Sequence, residues 1–262
     1  DGRNLHAHGT VLSGADGRRI GALVVLYDVT RLNKLEGIRR DFVANVSHEL
    51  KTPITSIRGF VDTLLDGAMN DPVASEKFLR IVGKQADRLA AIIEDLLTLS
   101  RVEEDGNART VPMELTRLDK VIHEAVDVCA YKARERKIEI RIQCGADLKA
   151  NVNAALLEQA LVNLVDNAIK YSAEGGAVEV DAKQQDGRIF IQVRDRGTGI
   201  EKAHLSRIFE RFYRVDKGRS RQLGGTGLGL SIVKHIALIH KGDVGVESAP
   251  GEGSTFSISI PV

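Results

Sequence analysis

Apolar residues recur at steps of three and four over residues 31–65: Ile38, Phe42, Val46, Leu50, Ile54, Ile57, Val61 and Leu64. That spacing predicts a helix that buries one stripe. The polar run D-G-A-M-N-D at 66–71, followed by Pro72, ends it. A second helix is predicted from Val73 to about Glu103. There Phe78, Val82, Gln85, Leu89, Ile92, Leu96 and Leu99 form a heptad seam, widened by Ile81, Ile93 and Leu97. Such a helical hairpin carries more apolar surface than one pair can hide. Docking two hairpins into a four-helix bundle hides it, which predicts a homodimer.

On either side the period changes. Residues 5–12 and 19–27 read as two strands around an Asp16-Gly17 turn within 14–17. Two strands cannot stand alone, so they predict the end of an upstream domain; a small hairpin cap with no sensing role is the alternative. After the second helix, E-D-G-N-A-R-T at 104–110 reads as a hinge. Beyond it come a helix at 118–136, a strand at 137–143 and a helix at 153–171 that ends at Gly175-Gly176. A hairpin follows at 178–183 and 188–194 around Asp186-Gly187, then a helix at 228–240 and closing strands at 243–248 and 254–260. This mixed order predicts a two-layer α/β sandwich, and an α+β chain as a whole.

Composition narrows the class. With 262 residues there is room for about two domains, each with its own core. Lys plus Arg number 37 against 36 Asp plus Glu, which argues against a dedicated nucleic-acid binder. Cys129 and Cys144 lack partners at metal-ligand spacing and fit a reducing compartment. The longest apolar run, at 22–27, falls far short of the roughly 20 residues a bilayer requires, and no signal peptide is visible. The chain begins without Met. It is read as the cytoplasmic portion of something longer, with any membrane anchor outside it.

The first candidate chemistry is His48, inside V-A-N-V-S-H-E-L-K-T-P-I-T at 43–55. It lies two positions from both Val46 and Leu50. At ~100° per residue that places it on the far side from the buried stripe. Glu49 is adjacent, and Thr52 is one turn on. Pro53 has no N–H for the carbonyl of Glu49, so a loosening or kink is expected there. A carboxylate that holds one ring nitrogen as N–H leaves the other lone pair free to attack. Taken alone, a surface His beside a surface Glu is the competing reading.

The second half carries four local features. L-V-N-L-V-D-N-A-I-K-Y-S at 161–172 puts Asn163 and Asn167 four apart on one helical face. An amide oxygen suits Mg²⁺, which keeps most of its waters and takes phosphate oxygens. Lys170 can pair with phosphate, and Tyr171 can flank a nucleoside. D-R-G-T-G at 195–199 sets Asp195 at a strand end, ready to accept from an amino group, with Gly197 and Gly199 letting backbone approach a ring. I-F-E-R-F-Y-R at 208–214 precedes a polar stretch at 215–223 with Lys217, Arg219 and Arg221, read as a lid. G-G-T-G-L-G-L at 224–230 opens the last helix, a phosphate cradle by its inward N–H groups and its positive helix end. It is no Walker loop, since the final Gly-Lys-Ser/Thr is absent, and it follows no Rossmann strand. Each feature alone also fits an ordinary polar helix face, turn or loop.

S-H-E-L-K-T-P at 47–53 resembles the phospho-acceptor box of bacterial two-component sensor histidine kinases. The four later features, in the same order, resemble the N, G1, F and G2 boxes of the Bergerat ATP-binding fold. Histidine kinases share that fold with type II topoisomerases and Hsp90-class chaperones. The order of motifs is most similar to the phosphate-sensing class. The resemblance implies a dimerisation and phospho-acceptor domain followed by an ATP-binding domain, with ATP and Mg²⁺ bound. It implies His48 as the phosphorylated residue, Glu49 as its orienting partner and proton acceptor, and Thr52 as a water-orienting residue for dephosphorylation of the regulator. It implies Asn167 on the metal, Asp195 on the adenine amino group, and phosphates at Gly225, Thr226, Gly227, Leu228, Gly229 and Leu230. Binding roles extend to Asn163, Lys170, Tyr171, Gly197, Gly199, Ile200, Phe209 and Arg214. The implied layout is a PAS-like sensor end at 1–30, a signalling helix at 31–45, the acceptor domain at 46–104, a hinge at 105–112 and the catalytic domain at 113–262. Implied partners are a second copy and the receiver domain of a response regulator. There is no nucleic-acid partner, and a membrane is reached only through segments outside this chain. ATP-hydrolysing relatives carry a Glu one turn before the metal Asn; Asn163 stands there instead and is no base. A Bergerat-type ATPase and a non-catalytic dimeric scaffold remain the alternatives.

Overall fold

The structure is a computed structural model that describes residues 2–13, 15, 19–108, 111–216 and 225–262, without the side chains of 104–108. The expected Asp16-Gly17 turn, Lys217, Arg219, Arg221 and Gly224 lie outside the described residues. The chain divides into two compact units, Asp1–Thr52 and Pro53–Val262.

The first unit pairs β1 (Leu5–Ser13) with β2 (Arg19–Asp28) antiparallel, Leu5 opposite Asp28. Every described residue of both strands is exposed. Helix α1 (Thr30–Leu65) starts here. Asp28 caps it by accepting the Thr30 N–H at 2.9 Å, while the Thr30 hydroxyl accepts the Asn4 N–H at 2.8 Å. The hydrogen bonds from Thr30 hold the Asp28 carboxyl below the usual range. α1 runs uninterrupted through Pro53, so the loosening expected there is no break. The missing N–H affects one carbonyl of the helix, and one residue earlier Thr52 adds a hydrogen bond from its hydroxyl to the His48 carbonyl at 3.0 Å.

In the second unit a 3₁₀ turn at Ala68–Asn70 leads into α2 (Pro72–Ala108). Asp71 caps α2 through the Val73 and Ala74 N–H groups at 2.9 and 3.3 Å. Near the turn Phe60 stacks on Phe78, ring centroids 5.4 Å apart. α2 continues to Ala108, into the expected hinge. A short antiparallel pair, β3 (Glu114–Arg117) with β5 (Lys149–Val152), has no counterpart in the sequence reading. The remaining elements are α3 (Leu118–Glu135), β4 (Glu139–Cys144), α4 (Ala154–Tyr171), β6 (Ala177–Gln185), β7 (Arg188–Asp195), α5 (Lys202–Leu205), α6 (Gly229–Ile239), β8 (Asp243–Ala249) and β9 (Gly253–Pro261).

The five-stranded sheet runs β4-β6-β7-β9-β8, with β4 parallel to β6 and the other neighbours antiparallel. Alternate residues Val178, Val180, Ile189, Ile191, Val193, Ile258 and Ile260 are buried, as a half-covered sheet requires. Leu118, Val121, Ile122 and Ala125 of α3, Leu157, Leu161, Leu164 and Val165 of α4, and Ile232, Val233 and Ile236 of α6 complete this one core. The opposite sheet face carries Glu179, Asp181, Gln192, Arg194 and Thr255. This is the two-layer sandwich.

Candidate functional site

Helix α4 supplies the first wall of a cavity of about 700 Å³. Its two ends are fixed. At the N-terminus Asn153 caps with its side-chain oxygen, accepting the Leu156 N–H at 3.0 Å, and its own N–H donates to His240 Nε2 at 3.0 Å. At the C-terminus the Arg136 guanidinium donates to the carbonyls of Ile169 (2.6 Å), Lys170 (2.5 Å) and Ser172 (3.0 Å). Between these clamps Asn163, Asp166, Asn167 and Lys170 face the cavity at steps of three, one and three. The Asn163 carboxamide oxygen lies 3.1 Å from where a Cβ on Gly229 would stand, so the α4 asparagine face and the start of α6 meet directly.

Asp195 ends β7 and is 3% exposed. Burial pushes its carboxyl up, opposed by the backbone N–H groups of Gly197 and Ser254. The Gly197 N–H reaches Oδ1 at 2.8 Å. A Cβ on Gly197 would collide with the Tyr171 carbonyl oxygen, and one on Gly199, where φ is +66°, with the Ala249 carbonyl oxygen. Glycine is therefore required at both positions. The turn is tied to β8 by the Ile200 N–H donating to Ser248 Oγ at 2.8 Å. A buried carboxylate with acceptor capacity beyond those two N–H groups is suited to an amino group on a flat ring.

The third wall joins residues 208–214 to the glycine turn, with the Phe212 N–H on the Gly227 carbonyl at 2.8 Å. Gly225, Thr226, Gly227, Gly229 and Leu230 line the cavity beside Ile200, Tyr171 and Arg214. Three expected residues do not. Phe209 packs edge-on against Phe256, Leu228 is fully buried, and Gly197 stands behind the Asp195 carboxylate. They build the wall without facing the ligand space.

Lys170 is ion-paired. Asp166 holds its Nζ at 2.5 Å and shares its other oxygen with Lys132 Nζ at 2.6 Å. Burial pushes the Asp166 carboxyl up, but Lys170 and Lys132 outweigh it and the net shift is downward. The sequence reading missed Asp166, although its offsets of three from Asn163 and four to Lys170 could have revealed it. It also missed a wall from α2, including Arg88, Ala91 and Asp95. Among the described residues no cluster of three or more His, Cys, Asp or Glu could hold a metal. The oxygen donors facing the cavity from α4 include the carboxamides of Asn163 and Asn167. That set fits a hard cation held mainly by phosphate and water.

On α1 the segment around His48 is open. His48 is exposed, Glu49 half-buried and Thr52 half-buried. The Ser47 hydroxyl donates to the Val43 carbonyl at 2.9 Å.

Two family models match the chain. Residues 38–105 match the His Kinase A (phospho-acceptor) domain, and 152–262 match the histidine kinase-, DNA gyrase B- and HSP90-like ATPase. The chain is 41% identical over 260 residues to the sensor-like histidine kinase SenX3 of Mycobacterium tuberculosis (strain ATCC 25618 / H37Rv), covering 99% of this chain and 62% of that protein. It is 36% identical over 261 residues to the sensor histidine kinase WalK of Bacillus subtilis (strain 168), covering 98% and 42%. It is 38% identical to the phosphate regulon sensor protein PhoR of Pseudomonas aeruginosa, covering 90% and 53%. The chain thus spans 42% to 62% of the length of these relatives. Among solved structures, histidine kinase ThkA in complex with response regulator protein TrrA gives a TM-score of 0.69 at 25% identity, covering 97% of this chain and 74% of that one. Histidine kinase AdeS of Acinetobacter baumannii gives 0.63 at 27%, covering 82% and 97%.

Proposed function

From the premise that the chain belongs to the sensor histidine kinases, we propose that it is the autokinase core of a two-component sensor, moving the γ-phosphoryl of ATP to His48. The observation that carries this reading is that the asparagine face of α4, Asp195 and the glycine turn at the start of α6 converge on one cavity.

Asp195 accepts from the adenine amino group, and the apolar walls of Ile200, Ile208 and Phe256 take the ring. The turn at 225–229 and Lys170 face the phosphates. Mg²⁺, held through Asn167 and phosphate oxygens, would neutralise charge on the transferred group. Asn163 gives water no base, so the phosphoryl waits for a better nucleophile. The exposed imidazole of His48 supplies it: a P–N bond forms as the bond to ADP breaks, and Glu49 takes the ring proton.

The phosphoryl then passes to an aspartate of a receiver domain. ThkA, solved with a response regulator, lends support by likeness. A second copy of the chain accounts for the apolar residues left uncovered on α1 and α2, among them Ile54, Leu65, Ile93 and Leu97. Thr52 is assigned to dephosphorylating the regulator, by turning its hydroxyl from the His48 carbonyl to a water. Among the described residues no helix is long and apolar enough to cross a membrane. We place this portion on the cytoplasmic side of a membrane-anchored sensor, where ATP is.

The test is ³²P labelling from γ-labelled ATP with nucleotide binding measured in parallel. His48→Gln should abolish labelling and leave binding intact. Labelling that persists in that variant removes His48 as the acceptor.

A further inference from the structure

Helix α2 does more than prolong the acceptor hairpin. Its residues Lys84, Arg88, Ala91 and Asp95, at steps of four, three and four, form one wall of the cavity. Beside them Ile92, Leu99 and Val102 are buried. Four polar links fix the contact: Gln159 Nε2 donates to Thr98 Oγ1 at 3.1 Å, Glu103 pairs with Arg211 and lies 3.5 Å from His235 Nε2, and the Thr226 hydroxyl donates to Asp95 Oδ2 at 2.5 Å.

The last link is unusual in its place. Thr226 sits in the glycine turn that opens α6, and its Oγ also accepts the Leu228 N–H at 3.2 Å. This turn is the cradle that the nucleotide reading assigns to phosphate. Asp95 brings a carboxyl group to one donor of that turn, the Thr226 hydroxyl. Burial pushes its carboxyl up, and the Thr226 hydrogen bond and Lys170 work against that rise. Asp166 adds a second negative charge nearby. Phosphate at this turn and the Asp95 carboxylate compete for the Thr226 hydroxyl, and they repel each other in a partly buried site where screening is weak.

We infer that Asp95 is a specificity-determining residue of the nucleotide site, carried on α2, which sorts adenine nucleotides by the charge of their phosphates. Adenosine binds with the Asp95–Thr226 link in place. A phosphorylated nucleotide displaces the link and loosens α2 from the cradle. The cations at the same cavity, Lys84, Arg88, Lys170 and Arg214, favour phosphate whatever stands at position 95, so their effect is common to the unmodified chain and a position-95 variant and cancels in the comparison. The inference rests on the nucleotide reading, and the experiment separates the two.

Affinities for adenosine and for a non-hydrolysable ATP analogue with Mg²⁺ are measured by calorimetry on the whole chain and on Asp95→Asn. The variant should bind the ATP analogue about tenfold more tightly, with adenosine affinity unchanged. An unaltered ratio of the two affinities overturns the role of Asp95 while leaving the nucleotide site standing. Failure of the unmodified chain to bind either ligand overturns both. A second measurement needs no variant. In the wild type, amide exchange over residues 91–103 should quicken with the ATP analogue and stay unchanged with adenosine. Equal exchange with both ligands contradicts the inference, whatever the variant does.

Discussion

The segment around His48 on α1 and the cavity under β7 are built by opposite means. His48 stands exposed on one continuous helix, uncovered among the described residues. Asp195 is buried, and its carboxylate, its turn and its neighbours depend on β7, β8, β9 and the end of α4 meeting within hydrogen-bond reach. A nucleophile that must reach different partners gains from freedom. A pocket that must recognise a flat ring and a chain of charges gains from being fixed beforehand. Substitutions should therefore act differently in the two places: a change of shape in the cavity costs fold and binding together, a change of charge there costs mainly binding, and a change on the helix costs chemistry alone.

The widest gap should appear at Gly197. Gly197→Ala drives a methyl into the Tyr171 carbonyl and the Asp195 carboxylate, and should lower stability by about 2–3 kcal/mol while abolishing nucleotide binding. Chemical denaturation and calorimetry measure both. Next comes Asp195→Asn, which keeps shape but replaces one of the carboxylate oxygens that accept the Gly197 and Ser254 N–H groups with an NH2 donor. ATP affinity should fall roughly tenfold to hundredfold, with the melting temperature changed far less.

A graded effect comes from His240, which links α6 to α4. Its Nδ1–H donates to the Ile236 carbonyl at 2.7 Å and its Nε2 accepts the Asn153 N–H at 3.0 Å, an arrangement open only to neutral imidazole. Burial holds its pKa below the ordinary 6.5. The unfolded chain therefore takes up a proton that the folded one refuses. This part of the stability is complete above about pH 6.5 and is lost as pH falls below it. Urea midpoints at about pH 7.5 and about pH 5.5 should diverge, and the divergence should shrink in His240→Gln. The smallest structural effect belongs to the helix. Thr52→Ala should change stability by no more than about 0.5 kcal/mol and leave autophosphorylation in place, while regulator dephosphorylation falls. A loss of fold in this variant would erase the contrast between the two regions.

What could be read in advance follows the same division. The N box, the strand-end aspartate and the glycine turn each lie within a dozen residues, and local spacing exposed them. His48 could be placed on an open face from the positions of Val46 and Leu50 alone. Contacts across the sequence stayed hidden. Asp95 and Thr226 are 131 positions apart, and the heptad seam of α2 announces an apolar face without naming what covers it. The residues E-D-G-N-A looked like a linker by composition, yet α2 carries through them to Ala108. Four-residue strands such as Glu114–Arg117 leave too little pattern to register. Phe209 and Leu228 belong to the same motifs, but Phe209 packs edge-on against Phe256 and Leu228 is buried.

The phosphoryl acceptor itself can be located directly. After incubation with ATP, peptides are separated under alkaline conditions and the segment 41–51 is sequenced by mass spectrometry. The account predicts one phosphoryl group on His48, lost on brief acid treatment. An acid-stable phosphate on the neighbouring Ser47, or on any residue outside this segment, would contradict it.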